Sequence, residues 1–128
     1  MRELRPDKNI ISVGGKEYNI ILTLSVMEKL QKQYENLSEV FGRLVDFNAS
    51  AKELAEIAVV FINDDIECHN EDFPHDKWQP ITAEWLCRRI ALNDKDAEGK
   101  ILMVDLTLAL LNAFKFSMPE GEEEADPN

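Results

Sequence analysis

The chain begins with two apolar stretches on either side of a glycine pair. Residues 9–22 read NIISVGGKEYNIIL, and Gly14-Gly15 suits a type I′ hairpin turn, in which both central positions need positive φ. This turn pairs Val13 with Lys16, and it gathers one apolar face: Ile11, Val13, Tyr18, Ile20 and Leu22. A lone two-stranded hairpin is marginally stable, so we expect this face to pack on helices.

A helical period replaces the alternation after the hairpin. Ser25 with Glu28 forms a capping-box pattern at the predicted helix start. Apolar residues then recur at helical spacing along one face: Met27, Leu30, Tyr34, Leu37, Phe41 and Leu44. Asn36 and Gly42 are weak helix formers, so we expect a break near Asn36. The run is short for a coiled coil, and we interpret it as a core face.

Three further helices are predicted. Ser50 with Glu53 forms a second capping box, before a helix that ends near Cys68. Residues 69–81 hold two prolines and no period, which indicates a loop. Thr82 caps a short helix through Ile90, and the last helix runs from about Ala97 to Ser117.

These elements predict a mainly α (α+β) fold, a small bundle of four to five helices with an N-terminal two-stranded β-hairpin. A chain of 128 residues favours one core. We expect one globular domain over residues 1–117, with the hairpin at 9–22 and the helices at 25–116. Residues 118–128 carry five acids and no base, which is typical of a disordered acidic tail.

The last predicted helix is apolar around most of its circumference. Asp105, Asn112 and Lys115 trace only a narrow polar stripe, whereas a surface helix normally buries one apolar stripe. The helix is therefore either central in the bundle or meets another chain with its spare face, and the two interpretations are compatible.

Charge narrows the class of partner. The net charge is −11, and the chain without the five tail carboxylates still carries −6. This argues against binding to nucleic-acid phosphates or to anionic membranes. The N-terminus has no apolar signal-peptide core, and the longest apolar run is broken by Asp105, too short for a membrane span. We therefore expect a soluble cytoplasmic protein.

Candidate chemistry concentrates in one acidic segment. It contains Asp64, Asp65, Glu67, Cys68, His69, Glu71, Asp72, His75 and Asp76. The spacing matches no zinc pattern, and adjacent ligands such as Cys68 and His69 diverge on a helix. A solvated acidic segment explains the cluster better than a metal site, so we expect no metal and no cofactor.

Two other features carry weak chemical signals. Cys87 precedes Arg88-Arg89, which could lower the pKa of its thiol, but a buried structural cysteine is the simpler interpretation. Those arginines, with Lys77 and Trp78, form the single basic-aromatic patch in the sequence. Arginines bonding the acidic segment would explain it. We therefore expect no catalytic residues and no enzyme activity.

The order of the elements resembles a known family. A strand, a GGKEY turn and a second strand lead into TLSVMEKLQKQYENLSEVFGRL, and a later helix begins ITAEWL. This resembles the tail assembly chaperones of long-tailed bacteriophages and prophages, particularly those of Gram-positive hosts. The matching residues are Gly14, Gly15, Lys16, Glu17, Tyr18, Met27, Glu28, Lys29, Leu30 and Tyr34. The resemblance covers most of the chain in outline and is specific over residues 10–44.

The resemblance implies a non-enzymatic role in viral tail morphogenesis. Such chaperones bind the long tape measure protein in the host cytoplasm and hold it until tail tube subunits polymerise around it. The excess apolar surface of the last helix suits this role, so we expect client contact through Leu106, Leu110, Phe114 and Phe116. The free strand edges suggest self-association into a homo-oligomer.

Two other classes remain open. Another phage tail or connector structural protein would share the origin but stay in the virion. An acidic inhibitor or nucleic-acid mimic from a mobile element would use the negative charge. Mimicry needs carboxylates spread along one surface, whereas here they bunch in residues 64–76 and in the tail.

Overall fold

The computed structural model describes residues 9–93 and 98–117. Over these residues the predicted fold class is confirmed, a mainly helical α+β structure that opens with an antiparallel hairpin. The predicted tail, residues 118–128, lies outside the described residues. The elements are β1 (Ile10–Val13), β2 (Lys16–Asn19), α1 (Leu24–Gln33), α2 (Leu37–Val45), α3 (Ala51–Asp72), α4 (Ala83–Cys87), β3 (Ile90–Ala91), β4 (Ile101–Leu102) and α5 (Met103–Ser117).

The hairpin has the predicted register. Val13 pairs with Lys16 and Ile11 with Tyr18. Gly14 and Gly15 have φ of 64° and 84°, as a type I′ turn requires. The predicted apolar face is buried at Ile11, Val13, Tyr18 and Ile20 and partly buried at Leu22.

The first predicted helix starts earlier than expected and is divided as expected. Thr23, rather than Ser25, is the N-cap of α1, and its Oγ1 accepts a hydrogen bond from the Val26 N–H at 3.1 Å. Thr23 also donates to the buried Asp64 at 2.9 Å, a distant partner that selects this cap. The predicted break occurs at Asn36, whose side chain caps α2 by accepting from the Ser38 N–H at 2.9 Å.

Helix α3 begins as predicted and ends later. Ser50 caps it by accepting from the Glu53 N–H at 3.1 Å. The Glu53 carboxylate accepts from Arg43 of α2, so this ion pair ties α2 to α3. The helix continues one turn past Cys68 because residues 69–72 are held from outside, by contacts of His69 and Asn70 with the following loop.

The region around residues 88–102 departs most from the prediction. The helix capped by Thr82 ends at Cys87 and not at Ile90. Ile90 and Ala91 instead form a parallel pair with Ile101 and Leu102. Two-residue strands carry no periodic signal, so the sequence did not indicate them. Accordingly α5 begins at Met103 rather than near Ala97, and residues 94–97 lie outside the described part.

The core lies around α3. This helix packs against α1, α4, α5 and β2, and its buried side chains run from Leu54 to Ile66. Phe114 of α5 makes edge-on contacts with Phe41 of α2 and Phe61 of α3, with ring centroids 5.7 and 5.9 Å apart. Within the described residues, none of the helices is both long enough and apolar enough to cross a membrane.

Candidate binding surfaces

The residues expected to contact a client are mostly inside the protein. Leu106 and Leu110 are 0% exposed and Phe114 is 1% exposed, because this side of α5 packs on α2 and α3. Phe116 belongs to α5, but its side chain lies outside the described part. In the folded chain, Leu106, Leu110 and Phe114 are therefore core residues rather than surface residues, and client contact through them stays an untested prediction.

The opposite side of α5 carries the accessible apolar residues. Val104 and Leu108 are 45% and 46% exposed, and Leu111 is partly buried. Spacings of four and three place these residues along one face of a helix. We call Val104, Leu108 and Leu111 the α5 stripe, and it is an apolar part of this helix that a partner can touch.

A groove lies between β1 and the C-terminal elements. It has a volume of about 620 Å³, and its walls come from three segments: Asn9, Ile10, Ile11 and Ser12; Lys100, Ile101 and Leu102; Asp105, Ala109 and Asn112. Gly14 donates its N–H to the Gly99 carbonyl at 2.8 Å and joins the hairpin to the segment before β4.

The outer edge of β1 faces this groove. In the observed register, Val13 and Ile11 exchange hydrogen bonds with β2, so Ile10 and Ser12 point their backbone groups away from β2. The corresponding outward N–H of Asn19 on β2 is occupied, because it donates to Asp65 at 3.0 Å. The β1 edge is therefore the more available template for an added strand.

A second groove lies between the hairpin turn, the loop after α3 and α4. Its volume is about 490 Å³, and it is lined by Gly14, Lys16, Tyr18, Lys77, Trp78, Gln79, Pro80, Ile81, Thr82 and Trp85. We call it the aromatic groove. The Lys16 ammonium lies 4.8 Å from the centroid of the Trp78 ring, and the Arg89 guanidinium lies 4.1 Å from that of Trp85.

Two asparagines of α3 hold one wall of the aromatic groove. Asn70 accepts from the Trp78 N–H at 2.7 Å and donates to the Trp78 carbonyl at 3.0 Å. Asn63 makes the same pair of bonds with Ile81, at 2.8 and 2.9 Å. Each side-chain amide thus pairs with a backbone N–H and a carbonyl, as a neighbouring strand would. The loop therefore has its backbone hydrogen bonds satisfied without regular secondary structure.

The Trp78 ring is fixed from both sides. His69 stacks on it with ring centroids 3.9 Å apart, and Tyr18 meets it edge-on at 6.0 Å. Burial, and then the nearby charge of Asp65, raise the pKa of Tyr18, so its hydroxyl is neutral at physiological pH.

The basic patch noted in the sequence is arranged differently from the prediction. Arg88 pairs with Glu84 at 3.7 Å, and Arg89 donates to the Trp85 carbonyl at 3.0 Å. These contacts lie within α4 and the residues after it, so the idea that the arginines bond the acidic segment is wrong. The structure instead places Trp78, Trp85 and Lys16 in the lining of one groove, a combination of residues that are distant in sequence. One sequence signal for this groove was available: Asn63 and Asn70 are seven residues apart, which places both amides on one face of a helix.

Several acidic residues hold the fold together. Asp64 is buried and accepts from Thr23, and Asp65 accepts from Asn19 of the hairpin. Among residues 9–93 and 98–117, no group of three or more His, Cys, Asp or Glu side chains could hold a metal ion. Partial burial, and then the charge of Asp64, raise the pKa of the Cys68 thiol, which keeps it protonated and a poor nucleophile.

Three surfaces thus stand out in the described part of the chain: the α5 stripe, the β1 edge with its groove, and the aromatic groove. Each is suited to contact with another molecule through apolar, backbone or aromatic groups. No protein-family model matches the chain, and no match was found among curated proteins or among solved structures.

Proposed function

We propose that this protein is a non-enzymatic phage tail assembly chaperone. It binds the tape measure protein in the host cytoplasm and keeps it soluble until the tail tube polymerises. The observation that carries the proposal is the α5 stripe, an accessible apolar face on a strongly acidic protein. A protein that holds an aggregation-prone client needs apolar contact surface together with charge that prevents its own precipitation.

The arrangement of surfaces supports this role. Ile10 at the β1 edge is 41% exposed, so an apolar side chain accompanies the backbone groups that point away from β2 there. The α5 stripe offers a helical client side-chain contacts, and the β1 edge offers an extended segment backbone hydrogen bonds. Self-association through the β1 edge would multiply these weak contacts around one long client.

Co-expression with the neighbouring tape measure protein, followed by pull-down, tests the proposal. We expect the client to become soluble and to co-purify with the wild-type chain. Val104→Ser with Leu108→Ser should reduce the recovered client strongly while circular dichroism stays native, because neither side chain belongs to the buried core. Leu24→Ser is the matched control, since Leu24 is 89% exposed and belongs to α1 rather than to the stripe.

Two results would count against the chaperone role. One is an insoluble client with no complex. The other is undiminished client recovery with the double variant, which would remove the α5 stripe as the contact surface. A strictly monomeric mass at high concentration would contradict only the assembly through β1.

A tail or connector structural protein is the second candidate, and the β1 edge is what favours it. A free strand edge can add neighbouring subunits in a fixed register. Such a subunit would stay in the finished particle, whereas a chaperone leaves it. Mass spectrometry of purified virions separates the two.

A further inference from the structure

The aromatic groove has a charge opposite to that of the rest of the chain. The sequence holds 25 acidic and 14 basic residues. Among the described residues that line this groove, Lys16 and Lys77 are charged and none is acidic. We propose that this groove binds an extended acidic peptide segment of another protein, with an apolar or proline side chain against the aromatic wall and carboxylates against the lysines.

The walls of the groove suit an extended segment. The two tryptophans and Pro80 supply flat apolar surface, which is how proline-rich and extended peptides are commonly recognised. The bonds from Asn63 and Asn70 fix the wall at Trp78 and Ile81 before any ligand arrives. Because this wall is already ordered, the protein loses little conformational entropy when a peptide binds.

The two lysines are the groups in this groove that would meet carboxylates. Within the described part of the chain, the ion pairs include neither Lys16 nor Lys77. The position of Lys16 over the Trp78 ring leaves its ammonium donors able to meet an incoming anion. A carboxylate there gains charge-assisted hydrogen bonds beside an apolar ring that partly excludes water.

An acidic peptide fits better than a single-stranded nucleic acid. Aromatic and basic groups together can also stack and neutralise nucleotides. Nucleic-acid affinity, however, depends on many phosphate contacts, and this groove offers two lysines on a chain of net charge −11. A peptide needs only a few carboxylates placed opposite those lysines.

This inference is independent of the chaperone role. It concerns the hairpin turn, the 77–82 loop and α4, whereas the client contact proposed above concerns α5 and β1. Either proposal can fail while the other stands.

Tryptophan fluorescence of the full chain provides the test, because the only two tryptophans, Trp78 and Trp85, both line the groove. The probe is a short synthetic peptide of repeating Glu-Pro-Leu. We expect a saturable change in emission that weakens as salt is added. The same peptide with glutamine in place of glutamate should bind about tenfold more weakly, which corresponds to about 1.4 kcal/mol. The version with lysine should not bind.

Variants locate the binding. The double variant Lys16→Gln with Lys77→Gln should weaken binding of the glutamate peptide. The loss should be at least as large as the loss caused by replacing glutamate with glutamine in the peptide. Lys52→Gln is the matched control, an exposed lysine on α3 outside the groove lining, and it should bind as the wild type does.

Several results would overturn the proposal. Equal binding of the glutamate and lysine peptides would show that charge does not determine binding. The absence of a fluorescence change with every peptide would show that the groove does not bind extended peptides. Tighter binding of an oligothymidine would assign the groove to nucleic acid instead. Binding seen only after residues 118–128 are removed would make the chain's own acidic tail the occupant rather than another protein.

Discussion

Gly14 and Gly15 share one turn but have different surroundings. Both have positive φ, which costs a residue with a side chain about 1–2 kcal/mol. A Cβ built on Gly14 would lie 2.5 Å from the Trp85 ring, whereas one on Gly15 meets nothing within 4 Å. Gly14 therefore serves both the turn and the close approach of the tryptophan.

We predict that Gly14→Ala destabilises the protein more than Gly15→Ala. Both variants carry the backbone strain, and only the first must also displace the Trp85 ring, at about 1–3 kcal/mol more. Urea denaturation followed by circular dichroism measures the difference. Equal unfolding midpoints would show that the ring moves aside freely.

Thr23 connects two parts of the molecule through one hydroxyl, which caps α1 and donates to the buried Asp64. Thr23→Val keeps the shape and removes both bonds. We expect a loss of about 2–4 kcal/mol in the free energy of unfolding, from the lost cap and the unsatisfied buried carboxylate. Thr23→Ser retains the hydroxyl and should stay within about 1 kcal/mol of wild type. Thermal or urea unfolding distinguishes the three proteins, and similar values for valine and serine would contradict this role.

Local sequence rules predict the structure correctly at some residues and not at others. The glycine pair defined the hairpin register before any tertiary contact was known, because turn geometry alone sets it. The cap of α1 could not be chosen in the same way. Thr23 and Ser25 are both good caps, and the partner that favours Thr23 lies 41 residues away.

At the scale of elements, periodicity predicts where the helices lie better than it predicts which side of each helix is buried. The apolar residues of α5 surround the helix, so the sequence gives no preferred face. The neighbours α2 and α3 decide it, and they bury Leu110 while Leu108 remains exposed. The β3–β4 pair was missed because each strand has two residues and depends on the other for its stability.

The two sides of α5 should respond differently to truncation. Leu110→Ala removes a fully buried side chain and should lower the free energy of unfolding by about 2–5 kcal/mol. Leu108→Ala is expected to change it by about 0.5 kcal/mol or less, as is usual at the surface. Urea denaturation of both variants checks this, and a large effect at Leu108 would mean that the α5 stripe is covered in solution.

At the scale of the whole molecule, charge keeps the exposed apolar surface apart from other copies. The net charge of −11 at pH 7 vanishes near the isoelectric point of about 4.6. We predict that the protein associates as the pH falls towards this value, since repulsion between copies is lost. Light scattering from pH 7 to pH 4.5 measures it. Unchanged particle size across this range would show that the α5 stripe and the β1 edge are not adhesive.

The two grooves could not be predicted from the sequence. The aromatic groove combines residues from positions 14–18 with others from 77–85, and no local pattern relates these segments. The sequence predicts a basic-aromatic patch of Lys77, Trp78, Arg88 and Arg89, but the cation over the Trp78 ring is Lys16 of the hairpin. Surfaces assembled across the fold depend on tertiary packing, whereas turns and helices depend on neighbours in sequence.

The Asn9 side chain has a consequence for the order of folding during synthesis. Its amide donates to the carbonyls of Ile20 and Ala109, both at 2.9 Å, and the second lies 100 residues further along. A ribosome adding about 5–20 residues per second needs roughly 5–20 s to make that partner. In the nascent chain, the apolar face of β1 therefore stays unprotected by α5 until α5 has emerged.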